Sequence, residues 1–269
     1  MDVQNILAAH RTKTAERAGQ QRTVLAIQDT SSLGYTSHRQ TRGLGQLSLK
    51  KGKPGEKLPS PGLVMPSCLA VTTEGLPLGV LEQQIFARAA GPADLPQPRH
   101  VLSIEEKESY RWLASLKNAQ PVPGETQLVT GCDREADIDE LVQLSAALAA
   151  PVVVRANSER PITQRSRDAE KGIVKLWPQR ARHPCAGRFA REVPARRGPK
   201  HTTSREPRVA TVEVRFVAFT LNPPKRLSSP LPTLAMSAID VREKDPPAGE
   251  PPREGRLLPN LPIENFAQA

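Results

Sequence analysis

Hydrophobic positions fall into short runs separated by turn-forming residues, and their spacing predicts alternating strands and helices. Thr23-Val24-Leu25-Ala26-Ile27 is a compact apolar run ending in Gln28-Asp29-Thr30. Residues 62–72 and 76–83 read as two strands joined at Glu74-Gly75, a hairpin signal. Ser103-Ile104-Glu105-Glu106 has the form of a capping box, in which the first side chain and the fourth satisfy each other's free backbone N–H groups. It predicts a helix from there through Tyr110, Trp112 and Leu116. A strand over 126–132 ending in Asp133, a helix over about 137–149 and a buried strand over 151–155 follow. Residues 209–219 alternate with partial period two, as a strand with one buried face does. The order β, ββ, α, β, α, β predicts a mixed α/β layer. The longest apolar stretch, 141–154, is broken by Gln143, Ser145 and Pro151, which excludes a membrane-spanning helix.

Composition changes this picture in two ways. The 269 residues leave room for one or two domains, and 27 prolines imply many loops between the elements. The formal net charge is +10 with a pI near 9.9, which points to a polyanionic partner, nucleic acid before anionic membrane. The excess is local: residues 155–226 hold 18 Lys plus Arg against 6 Asp plus Glu, so the remainder of the chain is slightly acidic. Arg196-Arg197-Gly198-Pro199-Lys200 and Arg205-Glu206-Pro207-Arg208 lie there, ahead of the alternating stretch, and the segment reads as a basic β-rich unit. A solvated charged loop followed by one hairpin is the plainer alternative. Met1-Asp2-Val3-Gln4-Asn5 lacks the basic-then-apolar order of a secretory signal. Cys68, Cys132 and Cys185 show no metal-ligand spacing and read as small core residues in a reducing cytoplasm.

Candidate chemistry begins with two carboxylates in equivalent places. Asp29 closes the first apolar strand and Asp133 the strand after the long helix. If those strands are sheet neighbours their ends bring the two together, and oxygen ligands of this type suit Mg²⁺ or Mn²⁺. Two such ions could stabilise the attacking and leaving oxygens of an in-line phosphoryl transfer. Strand-end aspartates also commonly cap turns or helices, and spacing alone leaves both possibilities open.

The residues around them carry more. Asp29-Thr30-Ser31-Ser32-Leu33-Gly34-Tyr35 with His38, then Gly43-Leu44-Gly45, and above all Asp133-Arg134-Glu135-Ala136-Asp137-Ile138 resemble the bacterial cut-and-paste DDE transposases of the insertion-sequence-four family, transposon-five type. Glu105-Glu106-Lys107-Glu108-Ser109 with Trp112-Leu113, Val152-Val153-Val154-Arg155-Ala156 and 257–264 extend the resemblance from about Val24 onward.

The resemblance implies a ribonuclease H-like mixed-sheet core with a basic β-rich insertion, the core incomplete at the C-terminus. The divisions expected are a remnant or linker helix over 1–22, the first part of the core over 23–156, the insertion over 157–230 and a return to the core over 231–269. It makes Asp29 and Asp133 the first and second metal ligands, holding Mg²⁺ or Mn²⁺ for DNA nicking and strand transfer. Arg155 would contact DNA backbone beside that site, and Arg196, Arg197, Lys200 and Arg205 would grip phosphates in the insertion. Arg134, Glu135 and Asp137 would support the site. Their alternative is a structural one, with Asp137 as an N-cap and the other two as a loop ion pair. Partners implied are double-stranded transposon ends and, for the full-length family, a second copy of the chain, in the bacterial cytoplasm at the nucleoid.

The chain departs from the family pattern in three places. The third carboxylate is expected on a helix bearing a Tyr…Arg…Glu…Lys signature. Glu264 imitates it only superficially, without the preceding Tyr and Arg. About 23 residues precede Val24, too few for the family's DNA-end-binding domain. Gly255, Arg256 and Pro259 stand where a continuous apolar strand is expected, and should disrupt a central strand. The resulting expectation is an internal transposase fragment, incompetent for cutting on its own, or else a non-catalytic DNA-binding segment or remnant.

Overall fold

A computed structural model describes residues 3–37, 40–51, 57–88, 102–120, 122–157, 159–164, 172–178, 183–196, 205–222 and 232–269. The protein is a mixed α/β chain that divides into two compact units, residues 1–152 and 153–269. No helix among the described residues is long and apolar enough to cross a membrane.

The first unit is built on β1 (Thr23–Gly34), which runs antiparallel to β3 (Lys57–Thr72) on one side and parallel to β5 (Gln127–Cys132) on the other. β2 (Gly45–Lys51) and β4 (Pro77–Gln83) each pair with β3. The hairpin read at Glu74-Gly75 is present, with Gly75 at φ 90°. Alternation along β1 buries Val24, Ala26 and Gln28 while Ile27 and Asp29 stay exposed. Val24 and Ala26 pack with Ala70 and Cys68 of β3, Leu128 of β5, Leu81 of β4, and helix residues Ala18 and Ala119.

α1 (Val3–Ala18) and α2 (Tyr110–Ala119) attach to this sheet by different means. α1 is polar and docks on β4 through hydrogen bonds. Arg11 Nε donates to the Leu81 carbonyl at 2.9 Å, Arg17 Nε to the Leu78 carbonyl at 2.7 Å, and Val80 N–H to His10 Nε2 at 3.0 Å. These contacts occupy backbone groups that an edge strand would otherwise present unpaired. Gly79, at φ 134°, lets them approach, since a Cβ there would collide with Thr14 Oγ1. α2 is amphipathic and buries Trp112, Leu113 and Leu116. It begins at Tyr110, later than the capping box predicts. Glu106 does accept the Ser103 N–H at 2.8 Å, but Lys107 and Tyr110 donate to carbonyls three residues back, so 103–109 is a series of turns. α3 (Asp139–Ala147) is likewise shorter than the 137–149 read from the pattern.

The second unit is antiparallel throughout its pairings. β6 (Val152–Arg155), which starts at the boundary, pairs with β12 (Glu254–Pro259), β12 with β11 (Leu234–Glu243), and β11 with β10 (Arg208–Leu221). β9 (Gly187–Val193) and β7 (Pro161–Gln164) both pair with β10, and β8 (Gly172–Lys175) with β7. Among the described residues this unit has no α-helix. The segment containing Gly255, Arg256 and Pro259 corrects the expectation of a broken strand: β12 is paired on both sides. Pro259 sits at the strand's last position, where the missing N–H costs least. Leu258 beside it is 1% exposed and anchors the strand in the interior.

Candidate functional site

β1 and β5 are parallel neighbours whose last registered pair is Gln28 opposite Cys132. Asp29 and Asp133 are the next residue on each strand. Neighbouring strands lie about 4.8 Å apart, so the two backbones emerge side by side. Gln28 and Cys132 are both buried on the helix-covered face. Asp133 is still extended, at φ −79° and ψ −170°, so alternation turns both carboxylates to the opposite face. One expectation is corrected: Asp29 is not at the end of β1. The strand continues to Gly34, and Asp29 stands opposite Ser67 of β3; only the pairing with β5 stops there.

Each carboxylate spends one oxygen on its own chain. Asp29 Oδ1 accepts the Thr30 N–H at 2.7 Å, and Asp133 Oδ1 accepts the Glu135 N–H at 2.8 Å, capping the 3₁₀ turn Arg134–Ala136. The two structural roles read for the neighbouring residues are corrected. The N-cap of α3 is Ile138, not Asp137, and Glu135 pairs with Arg111 at 2.5 Å in place of Arg134. Arg134 is exposed.

Two adjacent carboxylates fit Mg²⁺ or Mn²⁺, which bind through one or two carboxylates and complete their shells with water and phosphate oxygens. Among the described residues no group of three or more His, Cys, Asp or Glu is placed to hold a metal. Glu264 belongs to the second unit, exposed in a turn after β12, its N–H donating to Gln268 Oε1 at 2.8 Å. Behind the site, burial pushes the Cys68 thiol up to about 12, Ser115 only partly offsetting it, and burial raises Cys132 as well. Neither thiol is a ready thiolate ligand or nucleophile.

The basic residues gather in the second unit. A groove of about 1130 Å³ is lined by Arg155 at the end of β6, Arg191 of β9, Arg205, and Arg253 ahead of β12, with Glu192 and Glu254 among them. Phe189 lines it too and is 40% exposed, a large apolar ring held in water among cations. Arg196 and Arg205 face each other across a β-bridge, and Arg205 donates to the Pro194 carbonyl at 2.9 Å. Arg197, Lys200 and His38 lie outside the described residues. The sequence pattern singled out Arg155 and Arg205 but missed Arg191 and Arg253, which stand 62 positions apart and meet only because β9, β10, β11 and β12 are consecutive neighbours in the sheet. It also missed Arg111. The one signal was a cation inside the apolar stretch of α2, next to Trp112.

Compared with models of known protein families, the chain matches none.

Proposed function

We propose that the chain is the catalytic segment of a DDE-type DNA transposase of the insertion-sequence-four kind, acting on double-stranded transposon ends. The observation that carries this is the placement of Asp29 and Asp133 at the same level and on the same face of adjacent parallel strands. The mixed order of β3, β1 and β5 supports the finer reading of the first unit as ribonuclease H-like. A divalent ion bound between the carboxylates would supply Lewis-acid stabilisation at the scissile phosphate. Asp29 and Asp133 each keep an oxygen for that ion while the other is fixed by a backbone N–H. Arg155, Arg191, Arg205 and Arg253 bind phosphates along the groove, and such contacts position DNA without reading its sequence. Arg134 and Asp137 border the carboxylates. Glu264 is the weakest of the proposed residues, because an exposed turn does not hold a ligand rigidly.

Mn²⁺ titration of the whole chain, followed by electron paramagnetic resonance, tests this reading. Saturable binding that Mg²⁺ displaces and that is lost in both Asp29→Ala and Asp133→Ala is the expected result. Binding that survives either substitution would overturn it. The Arg-lined groove favours a second reading, a sequence-tolerant DNA-binding segment without catalysis. Salt-sensitive DNA binding with no Mn²⁺ site would select it.

A further inference from the structure

We propose that Arg111 is a positioning residue that holds Asp29 and Asp133 in mutual register; this rests on the reading of those two carboxylates as an ion site. The Arg111 side chain is 6% exposed, and its guanidinium reaches β1 and the 3₁₀ turn that follows β5 at once. Nε donates to Thr30 Oγ1 at 3.3 Å, and Nη2 to Glu135 Oε2 at 2.5 Å. These are the two residues whose backbone N–H groups bind the carboxylates, Thr30 to Asp29 Oδ1 at 2.7 Å and Glu135 to Asp133 Oδ1 at 2.8 Å. The pattern is the same on both sides: one residue gives its N–H to the aspartate and its side chain to Arg111.

The guanidinium is itself held. Nη1 donates to the Glu108 carbonyl at 3.0 Å and to Glu108 Oε1 at 3.1 Å. Arg88 grips the same Glu108 carboxylate with Nε at 2.9 Å and Nη2 at 2.8 Å, and its Nη1 reaches the Leu47 carbonyl at 2.7 Å. The Trp112 ring lies 5.0 Å from the Arg111 guanidinium carbon. Two arginines and two glutamates make the cluster formally neutral.

A buried ion pair often contributes little to stability compared with an apolar replacement, so stability alone does not account for this arrangement. What it supplies is geometry. A planar fork can serve Thr30, Glu135 and Glu108 in fixed directions, and a lysine ammonium cannot. Outer groups of this kind fix ligand orientation, and their loss typically lowers metal affinity about 10- to 100-fold.

The test is the Mn²⁺ dissociation constant of the whole chain, measured beside its thermal midpoint. Arg111→Lys should keep a cooperative transition and weaken Mn²⁺ binding about 10- to 100-fold. Should Arg111→Lys not fold, Glu135 is 65% exposed and offers a milder route. Glu135→Ala should weaken Mn²⁺ binding without lowering the midpoint, Glu135→Gln, which keeps an acceptor, should restore most of it, and Thr30→Val should act on the other arm. Unchanged affinity in a folded Arg111→Lys chain, or in the Thr30→Val/Glu135→Ala double variant, overturns the role. Mn²⁺ binding absent from the unsubstituted chain, or insensitive to Asp29→Ala, instead overturns the ion site and this role with it.

Discussion

The two units divide the chemistry of the chain between them. Residues 1–152 carry 16 Lys plus Arg and 16 Asp plus Glu, whereas residues 153–269 carry 22 and 12, so the entire net charge of +10 resides in the second unit. The first unit has helices against a mixed sheet, buries Trp112 and Leu116, and places two carboxylates just beyond the last registered pair of the parallel strands β1 and β5. The second pairs its strands antiparallel and collects arginines along a groove. A parallel pair brings equivalent strand ends together, and this is what two cooperating carboxylates need. Antiparallel strands alternate direction and leave long side chains arrayed along a face, which suits a polyanion. Under the proposed function, position is the variable that matters in one unit and summed charge in the other.

That contrast can be broken most forcefully in the first unit. Trp112 is 2% exposed in the first turn of α2, and Trp112→Ala should destabilise the unit by about 3–5 kcal/mol, measured by chemical denaturation. A loss within the range of a surface substitution would mean that α2 does not organise this unit. In the second unit the expected response is in binding. Arg155, Arg191 and Arg253 are exposed, and replacing all three by Ala should leave the thermal midpoint nearly unchanged while lowering the slope of log affinity for duplex DNA against log salt by about 3. An unchanged slope would remove the groove from the DNA-binding surface.

The smallest effects concern the thiols. Cys68 and Cys132 are buried and Cys185 is partly exposed, so iodoacetamide on the folded chain should label Cys185 first. Because burial raises Cys68 from its ordinary 9.0 to about 12, its contribution to stability is fully present below pH 9 and is lost as pH rises toward 12. A Cys68→Ser chain should show less of this alkaline loss in pH-dependent unfolding.

Much of this fold was legible in the pattern of apolar residues, and the exceptions have physical causes. The runs at Val24, Leu128 and Val152 are strands because each fills a buried face. The helix expected over 1–22 came from the resemblance and not from the apolar pattern, because α1 is held by Arg11, Arg17 and His10 on the β4 backbone, and hydrogen bonds to a strand edge impose no hydrophobic period. β12 was misread because Gly255, Arg256 and Pro259 are poor strand residues locally, while pairing to β6 and β11 overrides propensity. Asp29 and Asp133 could be picked out, since each follows a short apolar run and such runs are local features. The Arg111 fork could not, because it joins positions 30, 108, 111 and 135, which only the packed helix brings together.

The proposed function rests on a divalent ion bound between Asp29 and Asp133. It is tested most directly by loading the whole chain with Fe²⁺ in place of Mg²⁺ and mapping the peptide bonds cut by locally generated hydroxyl radicals. Cuts should cluster near residues 29 and 133, be suppressed by excess Mg²⁺ and be absent in Asp29→Ala. Cuts elsewhere, or cuts that persist in Asp29→Ala, would contradict it.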